Sequence, residues 1–279
     1  MPDLIKELKG IQLAIFDLDG VIYRGNELIP GTDKVIQQLK QILVKIVYNS
    51  NNSTASRQMY VDRLKSFNIT SQISDFYTSA SIAATEISKL KDKAKIFVIG
   101  EIGLKEELRA YGHEIVNITP EYRDVDYVIV GLDRDFNYKN LAFAQKCILE
   151  GKAQFYATNA DATLPIADGF LPGAGVMVNA VEVCTGIKPI KTFGKPEPTG
   201  IQLILKEAEV DPNNAVIFGD RLNTDILAGN LAHIKTVLVL TGVTSRNELN
   251  QKKLKKVKDF DKNLLPDIVL EKLTDIFIP

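Results

Sequence analysis

The sequence predicts an α/β protein: a doubly wound parallel sheet covered by helices, interrupted by a second, inserted α/β unit. Three observations carry this. Short apolar runs alternate with amphipathic stretches of helical period, several runs end abruptly in small polar or acidic residues, and one interval between such endings is far too long for a single crossover.

The elements follow in order. Leu13-Ala14-Ile15-Phe16 reads as a buried strand that opens through Asp17-Leu18-Asp19-Gly20 into a loop, where an α/β protein places its chemistry. Positions i and i+2 of an extended chain project to one side, roughly 6.5 Å apart at the backbone, so both carboxyl groups can face one small substrate. Taken alone, the same four residues also suit an ordinary capped turn. Directly after them Val21-Ile22-Tyr23 and Leu28-Ile29 form a predicted hairpin, a flap able to close over an anion. Further strands are predicted at 44–48, 96–99, 127–130, 154–157, 215–218 and 236–240. Helices are predicted at 32–41, 56–66, 79–89, 103–110, 138–150, 175–186, 198–209, 225–232 and 247–253.

Spacing locates the insertion. Between Asp19 and Ser50 lie 30 residues, enough for the flap, one helix and one strand, whereas 144 separate Ser50 from Lys195. The surplus of roughly 100 residues calls for a core of its own. The sequence therefore predicts a core domain at 1–80 and 181–279, and a cap at 81–180 whose contact loop is Ala157 to Pro165.

Composition bounds the function. At 279 residues, 45% hydrophobic and 25% charged, the chain suits a globular protein of about two domains. Its net charge of −1 gives no reason to expect nucleic acid or an anionic membrane as partner. The basic segment 252–258 (KKLKKVK) spaces Leu254 and Val257 as a solvated helix would. Cys147 and Cys184 sit in apolar segments and are expected as reduced core thiols, and His113 and His233 fall outside every motif and are expected at the surface or at helix ends. No secretory leader opens the chain, and no apolar run approaches the ~18 residues of a membrane span, so a cytoplasmic location is expected.

Three further segments join Asp17 and Asp19 as candidates. In Tyr48-Asn49-Ser50-Asn51-Asn52-Ser53-Thr54 a strand ends in hydroxyl, amide and backbone donors suited to phosphate oxygens, although the same residues also serve as helix caps. Lys195, between Gly194 and Pro196 with Pro198 beyond, is a fixed ammonium that could clamp a phosphoryl group. Phe218-Gly219-Asp220 ends another buried strand in acid, with Asp225 near the start of a helix, and carboxylates from two strand ends suit Mg²⁺.

In this order D-x-D-G, Ser50-Asn51-Asn52, Gly194-Lys195-Pro196 and Gly219-Asp220 with Asp225 resemble the four motifs of the haloacid dehalogenase (HAD) superfamily. More narrowly, DGVIYRGNELIPGT, NSNNSTASR, GLDRDFNY, ATNADATLP, PGAGVMVNAVEVCTG, FGKPEPTGI and FGDRLNTDILAGN are similar to the subfamily containing NagD, 4-nitrophenyl phosphatase, 2-phosphoglycolate phosphatase and pyridoxal phosphate phosphatase. The resemblance implies a Rossmann-like HAD core with a cap over the active site, and hydrolysis of small phosphate monoesters. Asp17 would be the nucleophile, Asp19 the general acid and base, and Lys195 the clamp. Mg²⁺ would be held by the Asp17 carboxylate, the Asp19 main-chain carbonyl and the Asp220 carboxylate, with Asp225 supporting from behind. Ser50, Asn51 and Asn52 would bind the phosphate, and Asn159 and Asp161 of the cap would meet the rest of the substrate.

The expected partner is a small phosphorylated metabolite, with 2-phosphoglycolate or 4-nitrophenyl phosphate the best assayable guess, and relatives suggest pairing of two copies through the cap. Transfer to an acceptor other than water, and a binding-only phosphometabolite sensor, are the alternatives. Thr163 and Leu164 stand where the pyridoxal phosphate branch carries an aromatic residue and a histidine, which argues against that substrate. Asn49 has no evident role in the sequence.

Overall fold

A computed structural model of the protein describes residues 3–166, 169–254 and 262–278. The strands are β1 (Leu13–Phe16), β2 (Tyr23–Arg24), β3 (Glu27–Leu28), β4 (Lys45–Ser50), β5 (Phe76–Thr78), β6 (Lys95–Ile99), β7 (Glu114–Val116), β8 (Tyr127–Val130), β9 (Gln154–Ala157), β10 (Thr163–Ile166), β11 (Gly169–Pro172), β12 (Ala215–Gly219), β13 (Lys235–Val239) and β14 (Ile268–Leu270). The helices are α1 (Thr32–Gln41), α2 (Arg57–Ser66), α3 (Ser79–Leu90), α4 (Ile102–Ala110), α5 (Tyr138–Leu149), α6 (Ala174–Thr185), α7 (Thr199–Ala208), α8 (Leu227–Leu231) and α9 (Arg246–Leu254). Contacts divide the chain into two compact units, the first Met1–Ser50, Val61–Tyr77 and Lys195–Pro279, the second Asn51–Tyr60 and Thr78–Gly194.

The first unit is built on a six-stranded sheet of order β14-β13-β12-β1-β4-β5. β1 pairs in parallel with β4 on one side and β12 on the other, so the strand order reverses at β1 and opens a crevice at its carboxyl end. Both faces of this sheet are covered, which is why β1 and β12 read as unbroken apolar runs instead of alternating. On one face Leu13, Ile15, Val47 and Ile217 pack against Ile201, Ile204 and Leu205 of α7 and Ala228 of α8. On the other, rings stand level across four strands: Phe218 stacks on Phe16 at 4.7 Å, and Tyr48 on Phe76 at 4.9 Å. Phe16 is in register with both Tyr48 and Phe218, so whatever follows these rings is aligned at the same sheet edge.

The flap forms where read, but its strands are Tyr23–Arg24 and Glu27–Leu28, nearer the turn than the expected Val21–Tyr23 and Leu28–Ile29. Tyr23 pairs with Leu28 and Arg24 with Glu27, and the Arg63 guanidinium of α2 lies 3.8 Å over the Tyr23 ring while donating to the Gly25 carbonyl. Arg24 donates to the Thr241 carbonyl.

The second unit carries a four-stranded sheet of order β7-β6-β8-β9, its described pairings parallel. Alternate residues Phe97, Val128, Val130 and Phe155 bury against Phe143 and Cys147 of α5 and Met177, Val178 and Val181 of α6. The expected limits 81–180 differ from this division at both ends, for contact reasons. Arg57 is held by Glu107 of α4 at 2.9 Å and the Gly103 N–H donates to Thr54 at 3.1 Å, which ties 51–60 to this unit. Beyond α6, the Phe193 N–H donates to Ala157 at 3.0 Å, which keeps 191–194 beside β9.

Several readings need correction. Residues 163–165 are not loop: Thr163–Ile166 pairs antiparallel with Gly169–Pro172, with Thr163 opposite Pro172. The helix expected at 225–232 begins as a wide turn over Leu222–Ile226 before α8 takes over. His113 is buried, its Nδ1 accepting the Ala94 N–H at 3.2 Å, whereas His233 is exposed just past α8. Of the basic segment 252–258, residues 252–254 end α9 and the remainder lies outside the described residues. Cys147 and Cys184 are free thiols, the first buried and the second half-buried. Among the described residues no helix is long and apolar enough to cross a membrane.

Candidate active site

One residue past the row of rings, the chemistry begins. The Asp17 N–H donates to the Phe218 carbonyl at 2.9 Å, continuing the β1–β12 ladder and fixing the residue at the carboxyl edge. β1 itself ends at Phe16, one residue before Asp17. Leu18 O accepts the Ile22 N–H at 2.8 Å, and the chain curls into the flap.

Lys195 organises the centre. Its ammonium donates to Asp17 Oδ1 at 2.7 Å, to Asp225 Oδ1 at 2.6 Å and to the Asn49 carbonyl at 2.7 Å. With its side chain 3% exposed, it is a buried cation held by three acceptors. Asn49 thereby acquires the role its sequence context did not suggest. Its carbonyl receives Lys195, and its amide donates to the Tyr77 carbonyl at 3.0 Å, pinning β4 to β5 just before Ser50.

Asp220 follows β12 directly and joins this group: one carboxylate oxygen each from Asp17, Asp220 and Asp225 lie within 4.8 Å of one another. Two backbone N–H groups after β13 hold it, Val243 donating to Oδ2 at 2.6 Å and Thr244 to the Asp220 carbonyl at 3.1 Å. Asp225 turns its Oδ2 to the Arg221 N–H at 3.1 Å. Glycines make the room. A Cβ on Gly242 would stand 1.9 Å from Asp220 Oδ2, one on Gly20 2.5 Å from the same atom, and one on Gly219 2.1 Å from Asp225 Cβ. Gly20 also has φ +82°, a conformation other residues rarely adopt. The 241–244 loop is the part of the site that sequence reading missed, because a backbone N–H leaves no residue signature; only the glycine at 242 hinted at a close approach.

Electrostatics show what this cluster lacks. Burial pushes the Asp17 carboxyl well above its ordinary range, with Lys195 pulling back and Asp225 and Asp220 pushing further up. Burial likewise lifts Asp220 to about 7, assisted by Asp225 and opposed by the Val243 N–H. Burial would lower Lys195, yet Asp17 and Asp225 outweigh it and hold the ammonium above its usual range, so it stays charged. With all three carboxyls ionised the group would be two positive charges short of balance, which is why burial favours protonating them in the absence of a cation. Hard oxygen donors with that deficit are what a divalent cation such as Mg²⁺ requires.

The remaining candidates divide between the units. Asp19 is exposed, outside the acidic cluster, with Gly20 N–H donating to the Tyr23 carbonyl at 2.8 Å beside it. Surrounding protein still raises its carboxyl by desolvation, with Arg63 and Arg221 opposing. Ser50 is buried at the end of β4, next to β1, at the same sheet edge as Asp17. Asn51, Asn52, Asn159 and Asp161 belong to the second unit. There Asp161 Oδ2 accepts the amides of Asn51 at 3.0 Å and Asn159 at 2.8 Å, and Asn52 Oδ1 accepts both the N–H and hydroxyl of Thr54 at 2.8 Å.

Comparison with known proteins places the chain in a family. Residues 14–114 match a haloacid dehalogenase-like hydrolase family model, and residues 192–276 match a second model of HAD-like hydrolases. An acid sugar phosphatase of Staphylococcus saprophyticus is 35% identical, over 88% of this chain and 92% of its own length. Phosphoglycolate phosphatase 2 of Arabidopsis thaliana is also 35% identical, over 93% of this chain and 92% of its own. A p-nitrophenyl phosphatase from Archaeoglobus fulgidus superposes with a TM-score of 0.86 at 35% identity, covering 95% of this chain and 97% of that one. The chain belongs to the haloacid dehalogenase-like hydrolases, in the phosphatase branch that contains these relatives.

Proposed function

We propose that the protein hydrolyses small phosphate monoesters through a phosphoryl group carried transiently on Asp17, with 2-phosphoglycolate and 4-nitrophenyl phosphate as the substrates to try first. One observation carries the reading: three segments far apart in sequence deliver Asp17, Lys195, and Asp220 with Asp225, to one centre at the carboxyl edge of a parallel sheet.

An Asp17 carboxylate oxygen attacks phosphorus, forming one P–O bond as the ester P–O bond breaks. Asp19 gives its proton to the departing alkoxide, and desolvation by the surrounding protein, by raising its carboxyl, favours the protonated form that this step needs. In the second half Asp19, now a carboxylate, takes a proton from water as the water oxygen bonds to phosphorus. The Asp17–phosphorus bond breaks, and inorganic phosphate leaves. Lys195 holds the attacking carboxylate in place and offers positive charge to the transferring group, while Ser50 and the Asn51 N–H would bind its oxygens. Mg²⁺ would sit among the Asp17 carboxylate, the Asp19 carbonyl and the Asp220 carboxylate, where it neutralises the approach of two anions. Both Asp225 oxygens are engaged by Lys195 and the Arg221 N–H, which suits a residue that orients the others.

Phosphate release from both esters, with Mg²⁺ and with chelator, tests this. Release that chelator abolishes is expected. No release in either condition from folded protein would instead favour a binding-only protein, and release only when an alcohol acceptor is added would favour phosphotransfer.

A further inference from the structure

Asp161 was read from the sequence as a residue that meets substrate, but one oxygen of its carboxylate already takes two amide donors. Oδ2 accepts the side-chain amide of Asn51 at 3.0 Å and that of Asn159 at 2.8 Å. Asn51 is held from its other side as well, its carbonyl accepting the Ser79 hydroxyl at 2.6 Å. Its Oδ1 lies against Gly194, where a Cβ would come within 2.7 Å of it and 2.8 Å of the Thr158 carbonyl. That same carbonyl accepts the Gly194 N–H at 2.6 Å. Asn51 and Gly194 therefore lie side by side within the second unit.

Covalent order makes this knot consequential. Asn51 is peptide-bonded to Ser50, and Gly194 to Lys195. Of the four points at which the chain passes between the units, these two are thus each one bond from a residue of the proposed reaction. A carboxylate accepting two amide donors makes a stronger and more directional tie than neutral partners would.

We propose that Asp161 is a positioning residue, which fastens Asn51 and thereby sets the Ser50–Asn51 peptide beside the Gly194–Lys195 peptide, and that it does not bind substrate. This rests on the phosphoryl-transfer reading above for its kinetic consequence, though not for its structural one.

The experiment compares wild type, Asp161→Ala and Asp161→Asn by amide hydrogen exchange and by steady-state kinetics on 4-nitrophenyl phosphate and 2-phosphoglycolate. In Asp161→Ala, exchange should quicken in peptides spanning 50–56 and 191–196. Its kcat should fall by the same factor for both esters, on the order of tenfold, with KM within about twofold. Asp161→Asn keeps an acceptor oxygen and should recover most of both, and it carries the test if the alanine variant does not fold. Unchanged exchange in a folded Asp161→Ala overturns the proposal. So does a KM that rises for one ester and not the other, the signature of a substrate contact. Should wild type release no phosphate from either ester, the reaction reading fails, while the exchange comparison still decides whether Asp161 fastens these segments.

Discussion

Both units of this molecule build a parallel sheet flanked by helices, yet the carboxyl edges of the two sheets hold opposite chemistry. In the first, β1 and β12 run out into three acids around one lysine, Asp220 and Asp225 buried and Asp17 half-buried. In the second, β9 runs out into Thr158 and Asn159, whose hydroxyl and amide bond one another at 3.0 Å, with Asp161 as the half-buried acid beyond them. Architecture offers the same crevice twice, and the residues just past the strands decide which one can do chemistry. The first edge gathers its acids around one buried lysine, while at the second Glu101 pairs with Arg134 at 2.7 Å and Asp161 takes amide donors.

The largest test of that contrast is Asp17→Asn. Loss of the proposed attacking carboxylate should reduce phosphate release below about 1% of wild type, a change of at least ~2.7 kcal/mol in the barrier. Melting of the metal-free protein should not suffer, because one of three crowded carboxylates has been neutralised. A lower melting temperature would show that the charge at this edge is balanced after all.

Next in size, Lys195→Met should remove activity and also destabilise the protein by about 3–5 kcal/mol in urea unfolding, since Asp225, 1% exposed, would lose its cation. A variant that is inactive but as stable as wild type would contradict the picture of Lys195 as the group that makes the buried acids tolerable.

Gly242→Ala should cost about 10- to 100-fold in activity and in Mg²⁺ requirement, because the added carbon must displace the Asp220 carboxylate. Titration of activity with Mg²⁺ checks this, and an unchanged half-saturation point would count against Asp220 as a metal ligand.

The smallest effects have opposite signs in the two units. Burial raises Asp220 to about 7, so the folded state takes up its proton more readily than the unfolded chain, and metal-free protein should gain stability as pH falls from 8 through 7. Asp220→Asn should lose that gain. Burial lowers His113, whose Nδ1 must stay unprotonated to accept the Ala94 N–H. Its contribution is therefore present above roughly pH 6.5, the unfolded value, and lost as pH falls below it. His113→Gln should flatten that acid loss, as melting scans between pH 7 and 5 would register.

What could be read in the sequence depended on burial and on side-chain chemistry. Strands covered on both faces, such as Leu13–Phe16 and Tyr127–Val130, announce themselves as apolar runs, and their ends were placed to the residue. Missed strands were of another kind. Phe76–Thr78, Glu114–Val116 and Ile268–Leu270 are three-residue strands at sheet edges, the last two only partly buried, and Thr163–Ile166 with Gly169–Pro172 forms a separate ribbon whose second strand is exposed. Too short for a period, they form because a neighbour offers hydrogen bonds. At the site, Asp17, Lys195, Asp220 and Asp225 carried legible chemistry and are brought together. Asn51 and Asp161 were legible as polar residues, but their partners were not, because a tie spanning 110 positions has no local trace.

The space around Asp220 is defined by side chains that are missing. Gly20, Gly219 and Gly242 come from three different strand ends and leave no gap that even a methyl group could enter without moving an acid. In a saturation library scored for activity, those three columns should therefore be as intolerant as the aspartates, although none of the three offers a proton, a charge or a ligand. An evolutionary path to a new metal preference has to begin elsewhere in the chain, since this wall admits no first step.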